Sequence, residues 1–132
     1  MEKLTEFKRW LMESGLAEDL SVDSVGAVPG DTGLFPTGAR LLWQRQDIVG
    51  NTTSRLREVF ILRRRAIRGL SAAGWVTALA GWIWKNAARA PSFGVLQRVY
   101  AENGRLVSAA PGGQALYEIS IIVEYTTNQE GE

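Results

Sequence analysis

The chain has 132 residues, with fifteen basic and fourteen acidic side chains and a formal net charge of +1. This length suits one domain with a real hydrophobic core, and the balanced charge gives no reason to expect binding to nucleic acid or to an anionic membrane surface. The chain also lacks cysteine and histidine. Their absence excludes disulfides, thiol nucleophiles, the Ser-His-Asp triad and nearly all histidine-ligated transition metals.

An amphipathic helix is predicted first, over residues 2–14, because apolar side chains recur there at helical spacing and Gly15 follows. The charged start of this segment differs from a secretory signal, so none is expected. The next segment, LSVDSVGAV at 20–28, alternates loosely and predicts a short strand.

The stretch PGDTGLFPTG, residues 29–38, is predicted to be a stiff loop because its glycines and prolines break regular structure. Its centre nevertheless carries two large apolar side chains, Leu34 and Phe35. Apolar surface gains free energy by leaving water, so this pair either fills the chain's own core or anchors a contact with another chain. The residues alone leave both interpretations open.

Two further strands are predicted in the middle of the chain, RLLWQRQDIVG at 40–50 and TTSRLREVFILRRRAI at 52–67, with a turn at Gly50 and Asn51. Residues 59–62 are all apolar, which places apolar side chains on both faces of the sheet. We therefore expect other parts of the protein to cover each face there.

A second helix is predicted over residues 71–90, with Ser71 as its amino-terminal cap and a proline after its end. It is apolar nearly all round, so it is either central to the fold or shared with a neighbouring chain; Trp82 and Trp84 are candidate interface residues. The uncharged run at 69–84 is shorter than the roughly 20 residues of a membrane span, which favours a buried or interfacial helix.

The last third of the chain is predicted to form strands. Asn103 and Gly104 predict a tight turn between two of them, and a Pro-Gly-Gly loop at 111–113 precedes the final strand. Apolar and mostly polar side chains alternate clearly over residues 117–125. This pattern predicts that one face of the final strand lies in the core and that the other is mostly exposed to water. The polar tail at 127–132 is expected to be frayed.

This order of elements predicts an α+β fold in which an antiparallel or mixed β-sheet packs with two main α-helices. No internal repeat or low-complexity linker divides the chain, so residues 1–132 are predicted to form one domain.

The concentrated charge of the chain is the arginine run after the apolar strand centre, residues 63–65, with Arg55, Arg57 and Arg68 nearby. On a strand, Arg63 and Arg65 share one side and Arg64 takes the other. These arginines either pair with Glu118 and Glu124 across the sheet, or contact another protein, or, with less support, contact nucleic acid. Arg63 and Arg65 are therefore candidate interface residues.

No catalytic constellation emerges from the sequence. The glycine-rich stretches GDTG and PGGQ lack the strand-loop-helix setting and the lysine of a phosphate-binding loop, and the aspartates lack calcium-loop spacing. We therefore expect no catalytic, cofactor-binding or metal site, and no enzyme activity.

Taken in order, the segments resemble a family of small phage and prophage proteins that are encoded among tail genes and known as minor capsid or tail terminator proteins. The likeness covers roughly residues 2–126. It rests on the amino-terminal helix, GDTGLFP at 30–36, DIVGN at 47–51, REVFILRR, WVTALAGWIW, SFG at 92–94, AENGRL at 101–106 and YEISIIVEY.

The resemblance implies a structural role without enzyme activity. Tail terminators form a ring, commonly of six subunits, on the end of the tail tube; the ring stops tube growth and presents a surface to the head-side connector. The implied partners are further copies of the chain, the tail tube protein and the head-tail connector, with no membrane and no specific nucleic acid, although DNA would pass through the ring. The implied location is the virion tail or neck, after assembly in the bacterial cytoplasm.

In such a ring, the segment with Leu34 and Phe35 would be a contact element stiffened by proline and glycine. Trp82 and Trp84 depart from the family pattern because tryptophan is denser there than the pattern requires. Three alternatives stay open: a head-completion or neck connector protein one layer closer to the capsid, a carboxylate-dependent hydrolase, and a regulator that binds nucleic acid.

Overall fold

The computed structural model describes residues 2–18, 20–67, 70–109 and 113–130. The helices and strands, in chain order, are α1 (Glu2–Met12), β1 (Ser21–Val22), β2 (Thr32–Gln46), β3 (Thr52–Ile67), α2 (Leu70–Asn86), β4 (Val95–Ala109) and β5 (Gln114–Gln129). A short 3-10 helix, Ala87–Arg89, follows α2 directly. The expected α+β fold is confirmed.

The described strands form one five-stranded sheet in the order β1-β2-β3-β5-β4. The short β1 runs parallel to β2, and the other three pairings are antiparallel. β3 is central and pairs with β5 along its whole length, from Thr52 opposite Gln129 to Ile67 opposite Gln114. The predicted bounds of this strand, 52–67, are confirmed.

Both helices pack on one face of the sheet. Phe7 of α1 stacks on Phe60 of β3 with ring centroids 4.2 Å apart, and Leu79 and Ile83 of α2 are buried in the same core. β5 contributes alternate residues to this core: Tyr117, Ile119, Ile121, Val123 and Tyr125. The predicted alternation of the final strand is therefore confirmed on its core side. The prediction that its other side is mostly exposed to water is wrong, because Glu118, Ile122, Glu124 and Thr126 are buried as well.

The stretch at 29–38 is not a loop throughout, because β2 already begins at Thr32. Leu34 lies opposite Leu62 in antiparallel register, and a register shift follows Pro36. The shift accommodates residues that fit a regular ladder poorly. Pairing with the long β3 thus overrides the local turn signals.

The prediction of a strand over residues 20–28 is also wrong for most of that segment, because only Ser21 and Val22 pair with β2. The chain leaves the sheet at Asp23, whose backbone φ is 62°. This left-handed conformation is one that aspartate tolerates better than most residues, and it ends the strand.

Two predictions for the last third of the chain are wrong. Asn103 and Gly104 lie inside β4, where a register shift takes the place of the predicted turn. β5 continues to Gln129, so residues 127–129 pair with β3 instead of fraying. The predicted Pro-Gly-Gly loop falls largely on residues 110–112, outside the described part of the chain.

Helix α2 already includes Leu70, so Ser71 lies inside the helix and is not its cap. The indole of Trp75 packs into the core and donates its Nε1 hydrogen to the carbonyl oxygen of Leu16, at 2.7 Å. No helix in the described part of the chain is long and apolar enough to cross a membrane.

Candidate protein-interaction surface

The sheet has a second face, opposite the helices. It consists of the odd-numbered residues 55–65 of β3, the even-numbered residues 116–126 of β5 and their neighbours on β2 and β4. No helix of the described residues packs on it, so we call it the open face. The expectation that other elements cover both faces of the strand centre is confirmed for the helix side. On the open face, among the described residues, the loop between β1 and β2 lies against one end, where the carbonyl oxygen of Gly26 is 3.4 Å from Nε of Arg65.

Glu118 holds one of two ion-pair clusters on the open face. Its Oε1 accepts a hydrogen bond from Nε of Arg63 at 3.0 Å, and its Oε2 accepts one from Nε of Arg105 at 3.1 Å. Burial acts to raise the pKa of Glu118, but both hydrogen bonds and both positive charges outweigh burial, so the pKa lies below its ordinary value. The carboxylate stays ionised at neutral pH.

Glu124 holds the second cluster, closer to the end of β5. Its Oε2 accepts hydrogen bonds from Nη2 of Arg57 at 2.8 Å and from the hydroxyl of Tyr100 at 2.9 Å, and Arg55 lies 3.8 Å from its Oε1. Burial raises the pKa of Glu124, but these partners outweigh it and the net shift is downward. The prediction that the arginines of β3 pair with Glu118 and Glu124 is confirmed for Arg63 and Arg57.

An apolar stripe lies between the two clusters. Ile122 is 2% exposed, although it is not part of the core under the helices. Its cross-strand neighbours on this face are Val59 of β3 and Tyr100 of β4. The open face therefore shields its own apolar centre with long side chains rather than with a second layer of structure.

Charge is distributed unevenly between the faces. The open face carries many arginines and few carboxylates: Arg40, Arg45, Arg55, Arg57, Arg63, Arg65, Arg98 and Arg105 against Glu102, Glu118 and Glu124. The net charge of the whole chain, +1, conceals this asymmetry. The sequence analysis missed it, although arginine at every second position in parts of β3 was a usable signal.

The hairpin formed by β2 and β3 has an exposed end, which we define as residues 37–49. Every residue of the hairpin end is exposed, and Trp43, Ile48 and Val49 are its most conspicuous apolar side chains. Ile48 is 101% exposed. Contiguous patches of exposed apolar side chains are typical of surfaces that bind another molecule, whereas singly exposed ones are common on any protein. These exposed side chains were not predicted from the sequence.

The loop at the hairpin end is held by Asp47. Its Oδ1 accepts backbone hydrogen bonds from Val49 at 3.0 Å and Asn51 at 2.9 Å, and Gly50 takes a φ of 90° that most residues avoid. The backbone hydrogen bond from Asn51 is the leading reason that the pKa of Asp47 lies below its ordinary value. The exposed apolar side chains thus stand on an ordered loop.

The residues predicted as interface candidates lie in three places. Leu34 is fully buried in the core, which corrects the expectation that it is available to a partner. Phe35 is half-buried on the open face beneath the guanidinium of Arg63, 4.9 Å from its ring centroid. On the helix side, Trp82 packs against Trp10 with centroids 5.0 Å apart, whereas Trp84 is 81% exposed.

Arg65 lies on the same face as Arg63, as predicted, and its Nε lies 3.4 Å from the carbonyl oxygen of Gly26. Arg64 points to the helix side, where its guanidinium lies 5.5 Å from the ring centroid of Trp75. Its Nη1 donates to the carbonyl oxygen of Leu16 at 3.1 Å. The predicted division of the three arginines between two faces is confirmed.

The two buried carboxylates of the open face cannot act as a catalytic pair. Glu118 and Glu124 lie six positions apart on one strand, which separates them by about 20 Å. Hydrolysis by paired carboxylates requires roughly 5–10 Å. Each carboxylate is also held by arginines, so neither is available as a proton donor at neutral pH.

No protein-family model matches the chain, and no curated protein sequence is significantly similar to it.

Proposed function

We propose that this chain is a structural protein of a phage or phage-like tail. Copies of it form a ring, with six subunits as the expected number, that caps the tail tube, stops its elongation and provides the docking surface on the head side. The observation that supports this proposal most is the hairpin end, where Trp43 is exposed on β2 and Ile48 and Val49 are exposed on the ordered loop that follows it. The specific role of tail terminator is proposed because the order of motifs along the chain resembles that family.

The hairpin end suits a contact that must form once and persist. Apolar side chains contribute free energy when a partner removes them from water, at about 25 cal/mol per Å² of buried apolar area. The hydrogen bonds of Asp47 fix the loop before contact, so less conformational entropy is lost on binding. A cap needs this property because it competes with the next ring of the tube for the same surface.

The proposed action is stoichiometric. One ring covers the surface on which the next tube ring would stack and does not recreate that surface on its far side. A neck connector, the main alternative, would join a finished tail to the head and would leave the tube length unaffected.

Deletion of this chain from the genome that encodes it tests the proposal. We expect tail tubes of uncontrolled length that are not attached to heads, as measured in electron micrographs. Expression of the intact chain in the same strain is the control and should restore a narrow length distribution. Tubes of normal, uniform length that fail to join heads would contradict termination and support the connector alternative.

A further inference from the structure

The sheet has two free edges. β1 covers β2 only at Gly33 and Leu34, so the outer side of β2 from Phe35 to Gln46 has no strand partner among the described residues. β4 is the last strand on the other side, and its outer side is unpaired within the described part of the chain from Val95 to Ala109. Free strand edges are templates for pairing with another chain.

The two edges are complementary in direction and in length. Three antiparallel steps separate β2 from β4, so the two strands run in opposite directions. When one copy is placed beside the next in the same orientation, the β4 of one meets the β2 of the other in antiparallel alignment, which is a favourable arrangement. The unpaired stretches are twelve residues of β2 and fifteen of β4.

Both edges also carry exposed apolar side chains. On β2 these are Leu41, Leu42 and Trp43, and on β4 they include Leu106 and Val107. Such edges favour association when a matching strand is available.

Charge adds a second complementarity. Arg40 on β2 lies directly opposite Arg57, a like charge, and makes no ion pair among the described residues. Glu102 on β4 is exposed on the same face and likewise makes no ion pair in the described part of the chain. Arg45 on β2 and Arg98 on β4 also make no ion pair among the described residues, but each guanidinium lies over an aromatic ring of its own strand, Trp43 and Tyr100 respectively. Glu102 is therefore the carboxylate that the β4 edge offers to a neighbouring copy, and its charge is opposite in sign to that of Arg40.

We propose that β2 of one copy pairs in antiparallel fashion with β4 of the next copy, with Arg40 of one opposite Glu102 of the other. This inference rests on the proposed function, because it describes how the ring is joined. The interface is head-to-tail: each copy uses its β2 edge on one side and its β4 edge on the other. Repetition of one such contact closes a ring when the rotation between neighbours permits it.

Cysteine cross-linking tests the pairing cleanly, because the chain contains no cysteine. Antiparallel alignment of Arg40 with Glu102 places Leu41 opposite Ala101, so the test protein is the full chain with Leu41→Cys and Ala101→Cys. Within one copy these positions are separated by three strand spacings across the sheet, about 14 Å, and in addition by five residues along the strands, because Ala101 is level with Pro36. A disulfide requires Cα atoms closer than about 7 Å, so any bond formed joins two copies.

After oxidation, we expect a ladder of covalent multimers on a non-reducing gel, ending at the size of the ring. The matched controls are Leu41→Cys alone, which reports pairing between two β2 edges, and Leu41→Cys with Lys85→Cys, whose second cysteine lies on α2. The proposal would be overturned if the Lys85 control gave as many cross-linked multimers as the test protein. It would also be overturned if Leu41→Cys alone gave a covalent dimer. Either result counts against the strand pairing even if light scattering shows a ring. A chain that stays monomeric in every variant overturns it as well, while the tube-length measurement still decides the proposed function.

A charge exchange tests the register. Arg40→Glu and Glu102→Arg should each weaken assembly about tenfold, because each places like charges opposite one another. The double variant restores opposite charges and should recover assembly, as measured by light scattering against concentration. A double variant that assembles no better than either single variant would overturn the pairing of Arg40 with Glu102.

Discussion

Adjacent residues of a strand project to opposite faces, and Leu34 and Phe35 show the consequence for a contact surface. Leu34 lies beneath the helices and is fully buried, whereas Phe35 lies on the open face beside Arg63. One residue therefore contributes mainly to folding, and the other remains available for contact.

Replacement of the two side chains one at a time should separate these roles. We expect Leu34→Ala to lower the free energy of unfolding by about 2–5 kcal/mol, because it leaves a cavity in the core. Phe35→Ala should lower it by about 1 kcal/mol or less, since the ring is already partly in water. Urea denaturation of the full chain measures both values. Equal losses for the two variants would contradict the assignment of Phe35 to the open face.

The ion pairs of the open face make stability depend on pH in a definite direction. The pKa of Glu124 is lowered in the folded chain, so its contribution is fully present above the unfolded value, about 4.5, and is lost as pH falls through the lower folded value. The pKa of Glu118 is also lowered in the folded chain, so its contribution to stability is lost over the same acidic range. We expect the free energy of unfolding to change little between about pH 7 and 5.5 and to fall below about pH 4.5.

Glu124→Gln isolates the contribution of this one carboxylate. At pH 7, we expect a loss of about 1–3 kcal/mol, because the arginines lose a charged acceptor. The difference from the unchanged chain should shrink below about pH 4.5, where Glu124 becomes protonated. Glu130→Gln, at an exposed position, is the control and should show no such difference. A loss for Glu124→Gln that stays constant with pH would contradict the ion-pair account.

Among the elements, the β2–β3 hairpin divides its length between two tasks. Its base, which includes Leu34 and Leu62, belongs to the core, while the hairpin end projects into solvent. Because Asp47 and Gly50 set the loop geometry, the apolar side chains between them can be changed without disturbing the core. This separation allows contact to be tested apart from folding.

The double variant Ile48→Asp and Val49→Asp should keep the melting temperature within about 2 °C, since exposed substitutions cost little stability. It should bind purified tail tubes at least tenfold more weakly, because two charges would have to be desolvated at the contact. Co-sedimentation with tubes measures the binding. Val28→Asp, at an exposed apolar position away from the hairpin, is the matched control. Unchanged tube binding by the double variant would remove the hairpin end from the contact.

On the scale of the whole molecule, the surfaces are separated by the sheet. The helices cover one face and arginine-rich side chains occupy the other. The outer side of β4, and that of β2 beyond Leu34, have no strand partner among the described residues. A chain with this arrangement can meet like copies at its edges and a different partner at its hairpin end. In the proposed ring the two contacts adjoin on β2, because residues 37–46 belong both to the hairpin end and to the free edge, whereas Ile48 and Val49 lie beyond the end of that strand.

Several features were determined by the sequence alone because they depend on local periodicity. The core alternation of β5 and the division of Arg63 and Arg64 between two faces follow from a period of two along a strand. The bounds of β3 follow from its strand-forming residues and from the turn at Gly50 and Asn51 that precedes it. The amphipathic pattern of α1 likewise predicted a helix close to its observed bounds, Glu2–Met12.

Other features depended on the tertiary structure because they involve residues far apart in the chain. β2 continues through the Pro-Thr-Gly stretch at 36–38 because pairing with β3 stabilises it there, although proline and glycine locally favour a turn. The choice of helix-covered face, the burial of Glu118 and Glu124 among arginines, and the exposure of the hairpin end follow from strand order and register. Periodicity states which residues share a face, but only the packing of distant elements decides which face is buried.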